Sequence, residues 1–148
     1  MLSREEIVGL IPHAGRMCLL DGVISWDAEK VVARARSHCD PDNPLRRHTH
    51  LAALHLCEYG AQAVAVHGGL LARAAGHRAR PGLLVALRDI ELAVDAIDAL
   101  AGELIVTARR LAGDRSSWQY AFTVHHGPMQ LAAGRVAILA VGAPLATS

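Results

Sequence analysis

Between Leu51 and Leu71 the chain reads LAALHLCEYGAQAVAVHGGLL, with no Lys, Arg or Pro and a single carboxylate, Glu58. So long an apolar run predicts one helix enclosed by the rest of the protein. His55, Glu58 and Gln62 are spaced three and four residues apart, so they share one helical face. They draw a polar stripe along an otherwise apolar rod. A carboxylate in that position is costly to bury unless it is paired or used, which makes Glu58 the first candidate for chemistry. The run is also long enough to raise a membrane span. Glu58 and Gln62 in mid-segment, and the lack of closely flanking basic anchors, argue for a helix covered by protein instead.

What covers it must come from few large side chains. The 148 residues include one Phe, two Tyr and two Trp, while 52% are hydrophobic and 20% charged. That composition belongs to a packed chain, read here as one domain over residues 1–148. A core of Ala, Val, Leu and Ile buries little area per residue, so a subunit interface is expected to contribute. A net charge of +1 gives no case for nucleic-acid binding. Cys18, Cys39 and Cys57 are odd in number and lack C-x-x-C spacing, so they read as reduced thiols of a cytoplasmic protein. The opening MLSREEIVGL is too charged for a secretory leader.

Ser3 and Glu6 fit a capping box, predicting a short helix from Arg4 to Leu10 that stops before Pro12. Met17–Asp27 and Lys30–Ser37 read as two strands that could pair as a hairpin through Trp26–Glu29. The segment CDPDNPLRRHTH, Cys39 to His50, is a loop by its prolines, Asp and Asn. After the long helix and a loop over Ala75–Gly82, four strands follow: Leu83–Val94, Glu103–Leu111, Trp118–His125 and Gln130–Val141. Their turns fall at Asp98–Gly102, Gly113–Ser116 and Gly127-Pro128. Short connections imply antiparallel neighbours. A strongly curved antiparallel sheet of five or six strands wrapped around the helix buries it on most sides, in an α+β fold. The open sheet edges invite a second copy.

Two motifs carry a family resemblance. LIPHAGRMCLLDGVISWD (Leu10–Asp27) is similar to the L-P-H-x-x-P-hydrophobic-L-L-x-D-x-V opening of the hotdog-fold 3-hydroxyacyl-acyl-carrier-protein dehydratases. Pro12, His13, Leu19, Leu20, Asp21 and Val23 match, and Arg16 stands where Pro is frequent. EYGAQAVAVHGG (Glu58–Gly69) resembles the E-A-x-A-Q-A-x-G segment of that family's central helix, with Glu58 at the acid and Gln62 four residues on. The nearest branch is the divergent one associated with polyene-pigment clusters. Between the motifs the chain departs from the pattern. His48-Thr49-His50 falls where G-H-F would, the P-x-M-P-G segment is replaced by Leu51–Leu54, and gapless spacing puts Pro44 on the position of the family's histidine.

The resemblance implies a hotdog fold, dimeric through edge strands, and dehydration of 3-hydroxyacyl thioesters carried on the phosphopantetheine arm of an acyl carrier protein. A neutral histidine, His48 or His50, would remove the proton beside the carbonyl. Glu58, or water held by it, would protonate the departing oxygen. His55, one turn before Glu58, is a third histidine within reach. Gln62, His55 and His13 are the substrate-side candidates. Backbone N–H groups at the helix start, near Leu51–Leu54, would polarise the carbonyl. Arg46-Arg47 with Arg78 and Arg80 would form a basic rim that steers an acidic carrier.

Each residue has a plainer reading. Glu58 could pair with an arginine across an interface, His48 and His50 could be ordinary loop residues, Gln62 could bond only to backbone, and His13 could brace the loop after the first helix. His67 reads as a core or interface residue, and His125-His126 as surface. His38, Cys39, Asp40 and the H-T-H triplet raise a metal site, but no H-E-x-x-H or paired Cys/His spacing supports one, and Gly68-Gly69 and Gly82 make no phosphate loop. Neither metal nor cofactor is expected. The rival functions are an acyl thioesterase of the same fold, and a subunit without activity that binds an acyl chain or completes a heterodimer with an active dehydratase.

Overall fold

The computed structural model describes residues 1–11, 15–77, 82–114 and 116–140, with Arg16 in backbone only. Strand β1 (Leu2–Ser3) runs directly into helix α1 (Arg4–Val8). The Ser3 hydroxyl accepts from the Glu6 N–H, and the Glu6 carboxylate accepts from the Ser3 N–H, which is the capping box the sequence predicts. After a 3-10 turn at Gly15–Met17 come β2 (Gly22–Trp26) and β3 (Lys30–Ala35), paired antiparallel. Asp27 shapes the turn between them: its carboxylate accepts from the N–H groups of Glu29 (2.8 Å) and Lys30 (2.9 Å). Helix α2 (Leu56–Ala74) is followed by β4 (Gly82–Leu92), β5 (Leu104–Gly113), β6 (Ser117–His126) and β7 (Met129–Ala140).

All seven strands form one sheet in the order β1-β2-β3-β5-β6-β7-β4, every pair antiparallel. The two-residue β1 is a seventh strand beyond the five or six expected. It is too short to leave a period-two pattern. Alternation selects the inner face: Val31, Ala33 and Ala35 of β3, Leu104, Val106 and Ala108 of β5, and Tyr120, Phe122 and Val124 of β6 are all buried. Helix α2 lies on that face and packs against β3, β5, β6 and β7. It is buried nearly all round, from Leu56, Tyr59 and Ala63 to Val66 and Leu70. This is the hotdog arrangement, a curved antiparallel sheet around one long helix. Gly60 permits the close approach, since a Cβ there would sit 2.5 Å from the Phe122 ring.

Two expected boundaries are corrected. The first long strand begins at Gly22, not Met17, because side chains occupy the backbone that precedes it. The Leu19 N–H donates to Gln62 and the Leu19 carbonyl accepts from Ser37, so neither is available to a ladder. Helix α2 begins at Leu56, not Leu51. Ala53–His55 is a 3-10 turn, and Leu51–Ala53 is held to the Asp95–Asp98 segment by Leu51 O accepting from Ile97 N and Ala53 N donating to Asp95 O, both at 2.9 Å.

At the far edge of the sheet, β4 bonds, among the described residues, only to β7 and presents Leu83, Leu84, Val85 and Leu87 between 41% and 55% exposed. Its register shifts between Leu84 and Ala86 and again between Arg88 and Glu91, where Asp89 takes a positive φ of 53°.

Candidate active site

Gln62 is the organising residue. It is fully buried, and its amide is engaged on both ends. Oε1 accepts from the Leu19 N–H at 2.8 Å, and Nε2 donates to the Met17 carbonyl at 2.6 Å and to Glu58 Oε1 at 3.3 Å. A side chain from the second motif is thereby fastened to the backbone of the first. The same stretch is held from two further sides, by Arg4 donating to the Cys18 carbonyl (3.0 Å) and by Ser37 donating to the Leu19 carbonyl (2.7 Å). Glu58 is half-buried one turn before Gln62, its carboxylate oriented by the amide.

Beside Glu58, the buried Tyr59 holds the loop that precedes the helix. Its hydroxyl meets Ser37 Oγ at 2.8 Å and accepts from Asn43 Nδ2 at 3.2 Å. Asn43 is itself buried, donates to the Ser37 carbonyl, and accepts from the Leu45 N–H. Burial pushes the Tyr59 phenol up, which keeps it a neutral hydrogen-bonding group. Sequence reasoning missed this trio. The available signals were a tyrosine adjoining the motif carboxylate and an Asn within a proline-bounded loop.

The loop histidines sit apart from one another in character. His48 is exposed and has a φ of +58°, at the corner of a tight turn closed by Arg47 N to His50 O (2.9 Å) and His50 N to Arg47 O (3.0 Å). His50 is also exposed, but its Nδ1 lies 3.6 Å from Asp98. Asp98 also accepts from the Leu51 N–H at 3.1 Å, and that backbone bond, with His50 nearby, holds its carboxyl below the usual carboxylate range. His55 is half-buried at the N-cap of α2, with no side-chain capping bond. His13 lies outside the described residues.

The carbonyl-polarising N–H groups expected near Leu51–Leu54 are not at a helix start. Two of them, Leu51 and Ala53, are engaged by Asp98 and Asp95. Of the expected basic rim, Arg46 is turned inward onto backbone carbonyls, Arg47 is exposed, and Arg78 and Arg80 lie outside the described residues. His67 is fully buried: Nε2–H donates to the Asp27 carbonyl (2.8 Å), and Nδ1 accepts from Tyr120 (2.7 Å). His38 is also buried and donates from Nε2 to the Leu100 carbonyl at 2.8 Å. Among the described residues no three His, Cys, Asp or Glu side chains converge as a metal set.

Comparison with known proteins agrees with the fold. Residues 5–145 match the family model ApeP-like, described as ApeP dehydratase. The fold is similar to the dehydratase heterocomplex ApeI:P from Xenorhabdus doucetiae, with TM-score 0.81 at 21% identity over 95% of this chain and 91% of that one. It is also similar to a putative esterase from Mycobacterium tuberculosis (TM-score 0.60, 14% identity, 83% and 92% covered). A hypothetical thioesterase with coenzyme A from Streptococcus pneumoniae gives TM-score 0.60 at 11% identity, with 81% and 87% covered. No curated protein matches the chain in sequence.

Proposed function

This chain belongs to the ApeP-like dehydratase family, and we propose that it eliminates water from 3-hydroxyacyl thioesters presented by an acyl carrier protein, in fatty-acid or polyene-type lipid biosynthesis. The supporting observation is the Glu58–Gln62 pair fastened to Met17 and Leu19, which joins the two family motifs into one wall. In the reaction, a base takes the proton from the carbon beside the thioester carbonyl. The released pair forms the carbon–carbon double bond, the bond to the 3-hydroxyl breaks, and Glu58 or its water protonates that oxygen so that it leaves as water. His48 is the base in this reading. Its imidazole is exposed at a turn corner, whereas His50 is drawn toward Asp98. His55 serves the substrate side, together with His13, while Gln62, buried and engaged at both ends, acts through Glu58, which it orients. The reaction needs no cofactor.

The partner is a second hotdog-fold chain along the β4 edge, either another copy or a different subunit. The apolar row Leu83, Leu84, Val85 and Leu87 supports an edge-to-edge seam, and the Xenorhabdus relative is described as a heterocomplex. We place the assembly in the cytoplasm, in keeping with three free thiols. Among the described residues no helix is long and apolar enough to cross a membrane.

The test uses purified chain, alone and with its co-expressed partner, and a medium-chain 3-hydroxyacyl-acyl carrier protein. Enoyl product is expected, with Glu58→Gln and His48→Gln each lowering kcat by about 10²- to 10⁴-fold. A second reading, thioester hydrolysis, draws on the exposure of both loop histidines and on the thioesterase among the structural relatives. It predicts free thiol and indifference to His48→Gln. Binding without turnover would mark a subunit that only holds the acyl chain. Leu83→Arg with Val85→Arg is expected to reduce the assembly to single chains, as read by sedimentation.

A further inference from the structure

The geometry points to Arg46 as a positioning residue for His48, an inference that rests on the reading of His48 as the base. Arg46 directs its guanidinium at three backbone carbonyls: Nε at Asp40 (2.8 Å), Nη2 at His38 (2.6 Å) and Nη1 at Thr49 (3.1 Å). Thr49 is the other corner of the turn that carries His48, so one arm of the fork grips the turn itself. The other two grip the start of the loop, which Ser37 and Asn43 tie to Tyr59 on α2. The Arg46 N–H also donates to the Asn43 carbonyl at 3.1 Å. A continuous set of bonds thus runs from the His48 turn through Arg46 and Asn43 to Tyr59, the neighbour of Glu58.

The turn needs such a hold. A positive φ at its first corner suits glycine and strains a histidine, and strain of this kind persists only where the surroundings fix it. Arginine suits the task because its planar fork reaches three acceptors at fixed angles, whereas an ammonium is a point charge on a flexible stem with no such fixed geometry. A base displaced by about 1 Å loses on the order of 10²-fold in rate, which is the scale at stake in releasing the turn.

The experiment measures kcat and KM for Arg46→Ala, Arg46→Lys, His48→Gln and the Ala/Gln double variant, using the full chain with its partner and the same 3-hydroxyacyl-acyl carrier protein. Positioning predicts a fall in kcat of about 10- to 100-fold for Arg46→Ala, with KM changed less than about 2-fold. Added guanidine at millimolar concentration should recover part of the rate in Arg46→Ala, and Arg46→Lys should remain impaired. The double variant should be no worse than His48→Gln alone, as for two groups acting as a unit. Should Arg46→Ala be too unstable to isolate, Arg46→Lys carries the same kcat, KM and double-variant comparisons. Wild-type kcat in both Arg46 variants alongside an inactive His48→Gln overturns the positioning role and leaves the base assignment standing. Wild-type kcat in His48→Gln overturns the base assignment, and the role of Arg46 with it. A loss for Arg46→Ala that is additive with His48→Gln and untouched by guanidine marks a general structural defect and overturns the inference.

Discussion

Gln62 shows how one side chain can assemble a site. Its amide satisfies the buried N–H of Leu19 and the part-buried carbonyl of Met17 while holding the Glu58 carboxylate. Gln62→Leu keeps the approximate volume and leaves the buried Leu19 N–H without a partner, worth roughly 1–3 kcal/mol, while the Met17 carbonyl of an exposed residue turns to water. Urea unfolding should therefore show a loss of about 1–3 kcal/mol, a sizeable share of the stability of a domain this size. The four-residue spacing of Glu58 and Gln62 was legible in the sequence, because helical geometry puts them side by side whatever surrounds them. What Gln62 binds was not legible. Its acceptor and donor are main-chain atoms far away in the chain, and main-chain atoms carry no sequence signature. The same holds for Arg46, whose charge suggested an outward-facing rim but whose three acceptors are carbonyls.

At the scale of elements, composition reported burial more faithfully than secondary structure. Leu51 and Ala53 are as buried as the helix that follows, so the apolar run overstates α2 at its start. The β5–β7 strands were readable because alternation and the Gly127-Pro128 turn coincide, whereas the two-residue β1 offers no period to read. The fit of α2 on the sheet turns on Gly60 against Phe122. Adding one methyl in Gly60→Ala forces the ring or the helix to move and should lower the unfolding free energy by about 1–3 kcal/mol, with the far-ultraviolet circular dichroism unchanged. Phe122→Leu introduced alongside should recover part of the loss, since the two residues share one contact.

For the whole molecule, pH is set against the fold by two buried histidines. Burial depresses the pKa of both His38 and His67 below the ordinary value of 6.5. Each already donates from Nε2 to a carbonyl, so a second proton would go to Nδ1. In His38 that nitrogen is buried with no acceptor among the described residues, and in His67 it is receiving the Tyr120 hydroxyl. The unfolded chain takes up these protons near pH 6.5 and the folded chain only below that, so stability is fully present above pH 6.5 and declines as pH falls through it. The carboxylates of Asp27, Asp98 and Asp114 are held low by backbone N–H groups, so their contribution is lost only below the ordinary carboxylate range. Melting temperature should therefore drop in two stages on acidification, and His67→Gln should flatten the first, as read by differential scanning calorimetry from about pH 8 to about pH 2.

The strand order has a consequence for how the chain is made. β4 leaves the ribosome before β5, β6 and β7, yet its one partner among the described strands is the last of them. Leu84 waits for Ile138, and during that interval a leucine-rich ribbon has no ladder to join. Nascent chains at this stage are the ones exposed to aggregation and to chaperone capture. A companion subunit translated nearby could shield the same ribbon, so expressing the two together should raise the yield of native material.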